Sequence, residues 1–459
     1  MRARRLLGVL ACVVPMFVFL AVYVPAAGHG FISDDFAWIL HNRVRAPSDI
    51  WRIATSDNGF YRPAVAFSFA FNELAFDLKP RAYGLINVAF AVLCAGAIFV
   101  LGRALNLSRG AAGFGAILWL LNLHGVNMAI LWISGRTALL ATAAAAACTA
   151  AVLRRRNPIG ALLLIVAVTS REDAAMLAVV TTAWLCVLWR DQPDRKTAVW
   201  RWLFISIAIV GVYLAVRSTT NAMTPTDAPA YYRFTWSLSS VGRNALEYAD
   251  RTMTTTAAAL VLLIIVMRPR LQLFDRELLS VAACGGLWLV AFLLPALLLP
   301  VRSSLYACLP SVGPCVVAAA LAQRWWTVAG QTRRQYALVA AIVVPLLLWP
   351  VYQGRTARWV GMAEFSTRAV AELTAATANL PDDSDILIVD DRTQRANIAS
   401  VFSTMLRDAF LVTSGRYMTF YVEPPVPNAE FRSGGRSGCG GCEDVRLIVR
   451  DGGLVRTDR

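Results

Sequence analysis

The sequence predicts an α-helical polytopic membrane protein of about eleven transmembrane helices, followed by a small C-terminal α/β domain. Composition, the spacing of apolar runs and the placement of arginine predict it together. Of 459 residues, 57% are hydrophobic and 16% charged, with a mean hydropathy of +0.55. That is more apolar surface than one water-soluble core of this size would use. A net charge of +15 suits either a nucleic acid or a membrane, and the positions of the charges favour membrane lipid over nucleic acid.

Apolar runs fall near 6–27, 82–103, 110–124, 132–153, 157–169, 174–190, 198–217, 251–267, 277–299, 304–322 and 336–353. Helices are expected, because lipid offers no partner to an unpaired backbone group and no segment alternates with the period of a barrel strand. The run at 157–169 is too short to cross straight, so it either thins the membrane or forms one bent unit with its neighbour. The opening Met1–Ala27 also has the basic start and small-residue end of a signal peptide. Its length of about twenty residues suits a retained helix.

Arginine sits at alternate ends of these runs. Arg2, Arg4 and Arg5 precede the first; Arg103 and Arg109, Arg154 to Arg156, Arg190 to Arg201, Arg268 to Arg276, and Arg324 to Arg334 follow in turn. The intervening connectors at 124–131, 170–173 and 300–303 hold only Arg171 and Arg302. This is the positive-inside pattern. It places the N-terminus in the cytoplasm, and loops 28–81 and 218–250 and everything after about 354 on the outer face. The expected organisation is a membrane domain over 1–353 and an outer-face (periplasmic or extracellular) domain over 354–459, in a multi-pass protein of the inner (plasma) membrane.

Within the tail, 358–380 carries a helical period, Pro381 to Asp385 gives a turn, Ile386 to Val389 a short strand, 400–411 a helix and 445–449 a strand. The stretch 424–442, rich in Pro, Gly and Ser, reads as a flexible loop. Seven of the nine cysteines lie in apolar runs as packing residues; Cys439 and Cys442, spaced CGGC, could mark a disulfide, a metal site or nothing.

Five constellations could carry chemistry. Asp34 and Asp35 follow Ser33 just after the first run, where two carboxylates could take a proton from an incoming hydroxyl; a helix cap is the structural alternative. Asn58-Gly59-Phe60-Tyr61-Arg62-Pro63 offers an arginine to a lipid phosphate, or is a helix entry. His124 and Asn127 precede Trp132-Ile133-Ser134-Gly135-Arg136, and an arginine entering an apolar helix is costly unless paired or facing water. Snorkelling is its alternative. Ser170-Arg171-Glu172-Asp173 is a charged knot or a salt-bridged turn, and Arg302 with Tyr306 is a site or an interfacial anchor. All lie on the outer face, the layout a lipid-linked phosphosugar needs: cations for the leaving phosphate and a base for the attacking hydroxyl.

In their order along residues 30–315, these pieces resemble the membrane glycosyltransferases of the C-type fold, in particular the protein O-mannosyltransferases with transmembrane and tetratricopeptide-repeat regions and their bacterial relatives. The resemblance implies transfer of a monosaccharide from a polyprenyl-phosphate sugar to an acceptor hydroxyl, with inversion and without a metal or other cofactor. It makes Asp34 or Asp35 the base and Arg136 and Arg302, with Arg62, the holders of the donor phosphate. Tyr61, His124, Glu172 and Tyr306 shape the acceptor pocket. The acceptor could be protein, lipid or glycan. Two departures stand out: Gly125 and Asn127 replace the family's proline and acidic residue after the histidine, and no repeats follow the spans. A lipid-linked glycan flippase, polymerase or ligase, or another polytopic transporter, is the alternative. It would not need paired carboxylates in the first loop, and the sequence shows no inverted repeat.

Overall fold

The computed structural model describes residues 2–55, 59–224, 228–269, 275–382, 384–424, 445–450 and 453–457. Its helices run α1 Arg2–Ala26, α2 Asp34–His41, α3 Ser48–Thr55, α4 Pro63–Phe76, α5 Pro80–Ala104, α6 Arg109–Leu120, α7 Gly125–Leu131, α8 Arg136–Leu153, α9 Asn157–Val168, α10 Leu177–Leu188, α11 Arg195–Ser218, α12 Leu238–Met267, α13 Arg276–Leu297, α14 Val312–Val328 and α15 Gln331–Ala376. The tail adds α16 Ile398–Phe402, α17 Leu406–Ser414 and strands β1 Asp385–Val389, β2 Thr419–Glu423, β3 Val445–Arg450 and β4 Gly453–Thr457.

Each of the eleven apolar runs is helical, but the expected number of crossings needs correction. Among the described residues eight helices are long and apolar enough to cross a membrane, or nine if α6 and α7, bent by 64° at their junction, form one span. Helices α9 and α10 hold 12 residues each. At about 1.5 Å per residue each reaches about 18 Å, short of a hydrocarbon core of about 30 Å. Apolar composition extends through the turn between them, whereas helical hydrogen bonding does not.

The helix ends sort into two groups, as the arginine alternation predicts. On the basic side, Arg155 reaches Asp194 at 2.5 Å and Arg190 reaches Ser280 at 3.4 Å, while Arg324 pairs with Asp275 and Arg333 donates to the Met267 carbonyl. At the opposite side, backbone bonds tie the connectors together: Ala64 N to Thr169 O, Gly59 O to Met223 N, Tyr231 O to Val301 N and Leu298 O to Thr235 N. Small residues permit the close helix approach that packing in lipid requires. The Ala143 to Ala146 run makes α8 a buried central helix. At Gly285 and Gly313 a Cβ would strike the facing helix, within 2.9 Å of Gly313 O and 2.3 Å of Gly285 O respectively. Three buried indoles tie helices together through their N–H groups: Trp119 donates to Cys308 O, Trp184 to Cys284 O and Trp288 to Leu309 O.

In the tail, β1 lies between β2 and β3, parallel to both, and β4 closes the edge antiparallel to β3. Strands β2 and β4 add to the two expected from sequence. The helix expected over 400–411 is two short helices broken at Ser403, where φ is 52°. The boundary expected at 353 falls inside α15, one helix of 46 residues that leaves the apolar bundle and continues into the α/β domain. Asn58, residues 425–442 of the expected loop, and Cys439 and Cys442 within it lie outside the described residues.

Candidate active site

Beyond α1 the chain reverses through Gly30 at φ 118° and Ser33 at φ 48°, then enters α2 with Asp34 and Asp35 in its first turn. Ser33 does not cap the helix through its side chain; its hydroxyl donates to Asp34 Oδ1 at 3.2 Å. The two carboxylates differ in environment. Asp35 is fully buried: Oδ1 accepts from Ser134 N at 2.7 Å and Ser134 Oγ at 2.5 Å, and Oδ2 from Ile32 N at 3.0 Å. Burial pushes its pKa up to about 7 against the pull of these bonds. Such a carboxylate ties the loop to the start of α8.

Asp34 is partly exposed, and the Ser33 hydroxyl is its hydrogen-bond partner among the described residues. Burial raises its pKa above the ordinary carboxylate range, and the Ser33 bond and the nearby Arg62 guanidinium partly oppose that rise. Its oxygens therefore remain open to a substrate, whereas those of Asp35 are enclosed by protein.

Arg62, at the entry to α4, meets Glu172 in the turn between α9 and α10. Nη2 lies 2.7 Å from Oε2, and Nε lies 3.1 and 3.0 Å from Oε1 and Oε2. The fixed fork of guanidinium suits this two-pronged contact. Arg62 also stacks over the Phe60 ring at 4.1 Å, and Arg217 at the end of α11 stands 3.9 Å from Glu172. Arg171 pairs with Asp173 at 3.0 Å and lies 4.9 Å above the Tyr306 ring. Tyr61 is packed against Tyr213, whose hydroxyl donates to the Tyr61 carbonyl at 3.2 Å.

A second polar cluster adjoins the first. Glu247 on α12 accepts from Arg251 at 2.9 Å and from Arg302 in a close contact. His124 Nε2 lies 3.8 Å from Asp250, and its Nδ1 lies 3.3 Å from Arg355 on α15. Tyr306 and Tyr248 meet edge to face at 6.3 Å, and Arg251 lies over the Tyr248 ring. The aromatic pair thus stands between the Arg171 and Arg251 guanidiniums. Arg251, Arg302 and Arg355 face Glu247 and Asp250, so positive charge is in excess in this second cluster.

Arg136 departs from its expected role. Its side chain is fully buried. It donates to the carbonyls of Ser68 at 3.3 Å, Tyr83 at 3.4 Å and Ile133 at 3.4 Å and stacks on Phe69 at 4.1 Å. Turned with its oxygen toward the guanidinium, the Asn72 amide accepts from it at 3.2 and 3.3 Å. The cost of burying the cation is met by carbonyls and rings, not by a cavity, and no face remains for a lipid phosphate.

The structure thus groups Asp34, Tyr61, Arg62, Glu172 and Tyr306, sets His124 and Arg302 in the adjoining cluster, and buries Arg136 and Asp35 among protein partners. Sequence reasoning missed Arg217, Glu247, Asp250, Arg251 and Arg355. Glu247 and Arg251, four apart and so on one face of a helix, were a readable signal, obscured because α12 begins 13 residues before the apolar run expected at 251. Among the described residues, no group of three or more His, Cys, Asp or Glu side chains is placed to hold a metal ion.

No family model and no curated protein matches the chain. Among solved structures it is similar to the crystal structure of ArnT from Cupriavidus metallidurans bound to undecaprenyl phosphate, at 13% identity over 90% of this chain and 86% of that one, with a TM-score of 0.46. At that level the superposition decides no activity.

The chemistry available at the site follows from its parts. A carboxylate with free lone pairs lies within electrostatic reach of the Arg62 guanidinium, and the aromatic rings of Phe60, Tyr232 and Tyr306 stand beside the charges. Rings of this kind suit the apolar face of a sugar, and guanidiniums suit an anionic leaving group.

Proposed function

We propose that this chain is a membrane-embedded glycosyltransferase of the C-type fold. It moves a monosaccharide from a polyprenyl-phosphate donor to an acceptor hydroxyl on the outer face of the inner membrane. The observation that carries this reading is Asp34, a partly buried carboxylate with free oxygens beside the Arg62–Glu172 pair. The order of motifs along the chain supports the family, and the gathering of Asp34, Arg62, Glu172 and Arg302 at one set of helix ends supports one working face.

In this mechanism Asp34 takes the proton of the acceptor hydroxyl as that oxygen attacks the anomeric carbon. A new carbon–oxygen bond forms, the bond from the anomeric carbon to the phosphate oxygen breaks on the opposite side, and the configuration inverts. The electron pair leaves with the polyprenyl phosphate. Arg62, with Arg217 beside it, and Arg302 stabilise the charge that develops there. Glu172 holds Arg62 at its place, and Tyr61, His124 and Tyr306 bound the pocket. The reaction as written needs no metal or redox cofactor. The donor sugar is a hexose by family likeness, mannose first among the donors to try.

The test is transfer of radiolabelled sugar from synthetic polyprenyl-phosphate donors in membranes containing the wild type or Asp34→Asn at equal expression. Transfer by the wild type and its loss in Asp34→Asn would support the reading. No transfer above empty membranes, or equal transfer by both, would overturn it in favour of a flippase or a ligase of lipid-linked glycan.

A further inference from the structure

The α/β tail has no place in the chemistry above, yet it grips the segment that carries Asp34 at four successive points. Gly30 sits against the extramembrane half of α15, where a Cβ would come within 2.7 Å of Thr367 Oγ1 and 3.1 Å of the Ala363 carbonyl. The Ser33 N–H donates to the Val401 carbonyl of α16 at 2.9 Å. Phe36 stacks on Phe402, ring centroids 6.1 Å apart and planes at 28°. Beyond α2, Arg43 Nη2 donates to the Val412 carbonyl of α17 at 3.0 Å. Residues 30, 33, 36 and 43 thus bracket Asp34 on both sides, and all four partners belong to the tail or to the helix that leads into it.

The backbone between these points is strained. Ser33 holds φ 48° and ψ −125°, a conformation that is unfavourable for an L-residue and persists only where surroundings impose it. It directly precedes Asp34. The Val401 carbonyl holds the amide of that residue, and the Phe36–Phe402 stack fixes the helix after it. On the reading of Asp34 as base, we propose that the C-terminal α/β domain is a clamp that positions the catalytic loop, with Phe402 and Arg43 as positioning residues. Its function in this chain is to hold the base.

The experiment pairs Phe402→Ala with its conservative partner Phe402→Leu and with Arg43→Gln, which cuts a grip without opening the core. Full-length protein in detergent is compared for sugar transfer and for hydrogen exchange over residues 28–42. Expected for Phe402→Ala is a fall in kcat on the order of tenfold to a hundredfold with donor KM little changed, and faster exchange at the Ser33 amide while the membrane bundle melts as in wild type. Phe402→Leu should recover most of kcat, and Arg43→Gln should lower it about twofold to threefold, a smaller misplacement of the same loop. Unchanged kcat and unchanged exchange in both Phe402→Ala and Arg43→Gln overturn the clamp. If Asp34→Asn also transfers normally, the reading of the base has failed instead; if it does not, only the clamp has.

Discussion

Arg62 and Glu172 lie 110 residues apart in the chain and are joined by a two-pronged ion pair with 16% and 26% of their side chains exposed. The pair ties the first loop to the turn between α9 and α10. Removing either member leaves the other poorly compensated. Arg62→Ala and Glu172→Ala should each lower stability by about 1–3 kcal/mol, less than for a fully buried pair because both side chains keep some water. Arg62→Lys should keep part of the stability and lose most of the transfer, since an ammonium cannot fork. Thermal melts and transfer assays on the three variants check this. Wild-type activity in Arg62→Lys would remove Arg62 from the site.

Asp34 and Asp35 should separate cleanly. Asp34→Asn loses the base and should lower transfer by about a hundredfold or more while melting as the wild type does. Asp35→Asn keeps an acceptor for Ser134 but turns an N–H toward the Ile32 amide or loses the Ser134 contact. It should cost about 1–3 kcal/mol of stability, with activity falling along with the folded fraction. Equal losses of activity and stability in both would contradict the division of roles.

The buried Asp35 also predicts a pH effect on stability. Its folded pKa of about 7 lies above an unfolded value of about 3.9, so the folded state binds the proton more tightly. Its contribution to stability is greatest below the unfolded pKa and is lost as pH rises through about 7. The melting temperature should therefore fall between pH 5 and pH 8, and Asp35→Asn should flatten that slope. For Asp34 the consequence is kinetic: a raised pKa moves the acid limb of kcat/KM above the ordinary carboxylate range, because transfer needs the ionised form.

Arg136→Met should destabilise the protein, by about 3 kcal/mol, through the carbonyls and the Asn72 amide it leaves without a donor. Donor KM in the protein that remains folded should not change. A rise in donor KM with unchanged melting would restore Arg136 to the phosphate site.

How much of this was legible in the sequence differs by level. The apolar runs predicted the long helices of the bundle, because lipid leaves few alternatives to a helix; they did not predict α4, or α7, which falls where a connector was expected. The motif around Asp34, Arg62, Glu172 and Tyr306 was legible as polar groups expected at one set of helix ends. Their partners were not: Arg217, Glu247 and Arg355 stand at helix ends where an arginine or a glutamate looks like an ordinary anchor, and only packing of α11, α12 and α15 brings them in. Arg136 misled for the converse reason. An arginine entering an apolar helix signals a costly burial, and the sequence does not say whether carbonyls or a ligand offset it. Strands β2 and β4 were missed because neither has the unbroken aliphatic run that marks β1 at Ile386 to Val389.

Helix α15 runs 46 residues, about 69 Å at 1.5 Å per residue, of which a bilayer core takes about 30 Å. The remainder is a lever arm fixed at its base in lipid. A thicker or thinner membrane changes the tilt of such a helix at small cost, and a change of tilt at the base is magnified at the far end. The α/β domain is therefore placed by the tilt of a single helix as well as by the contacts it makes at its own level.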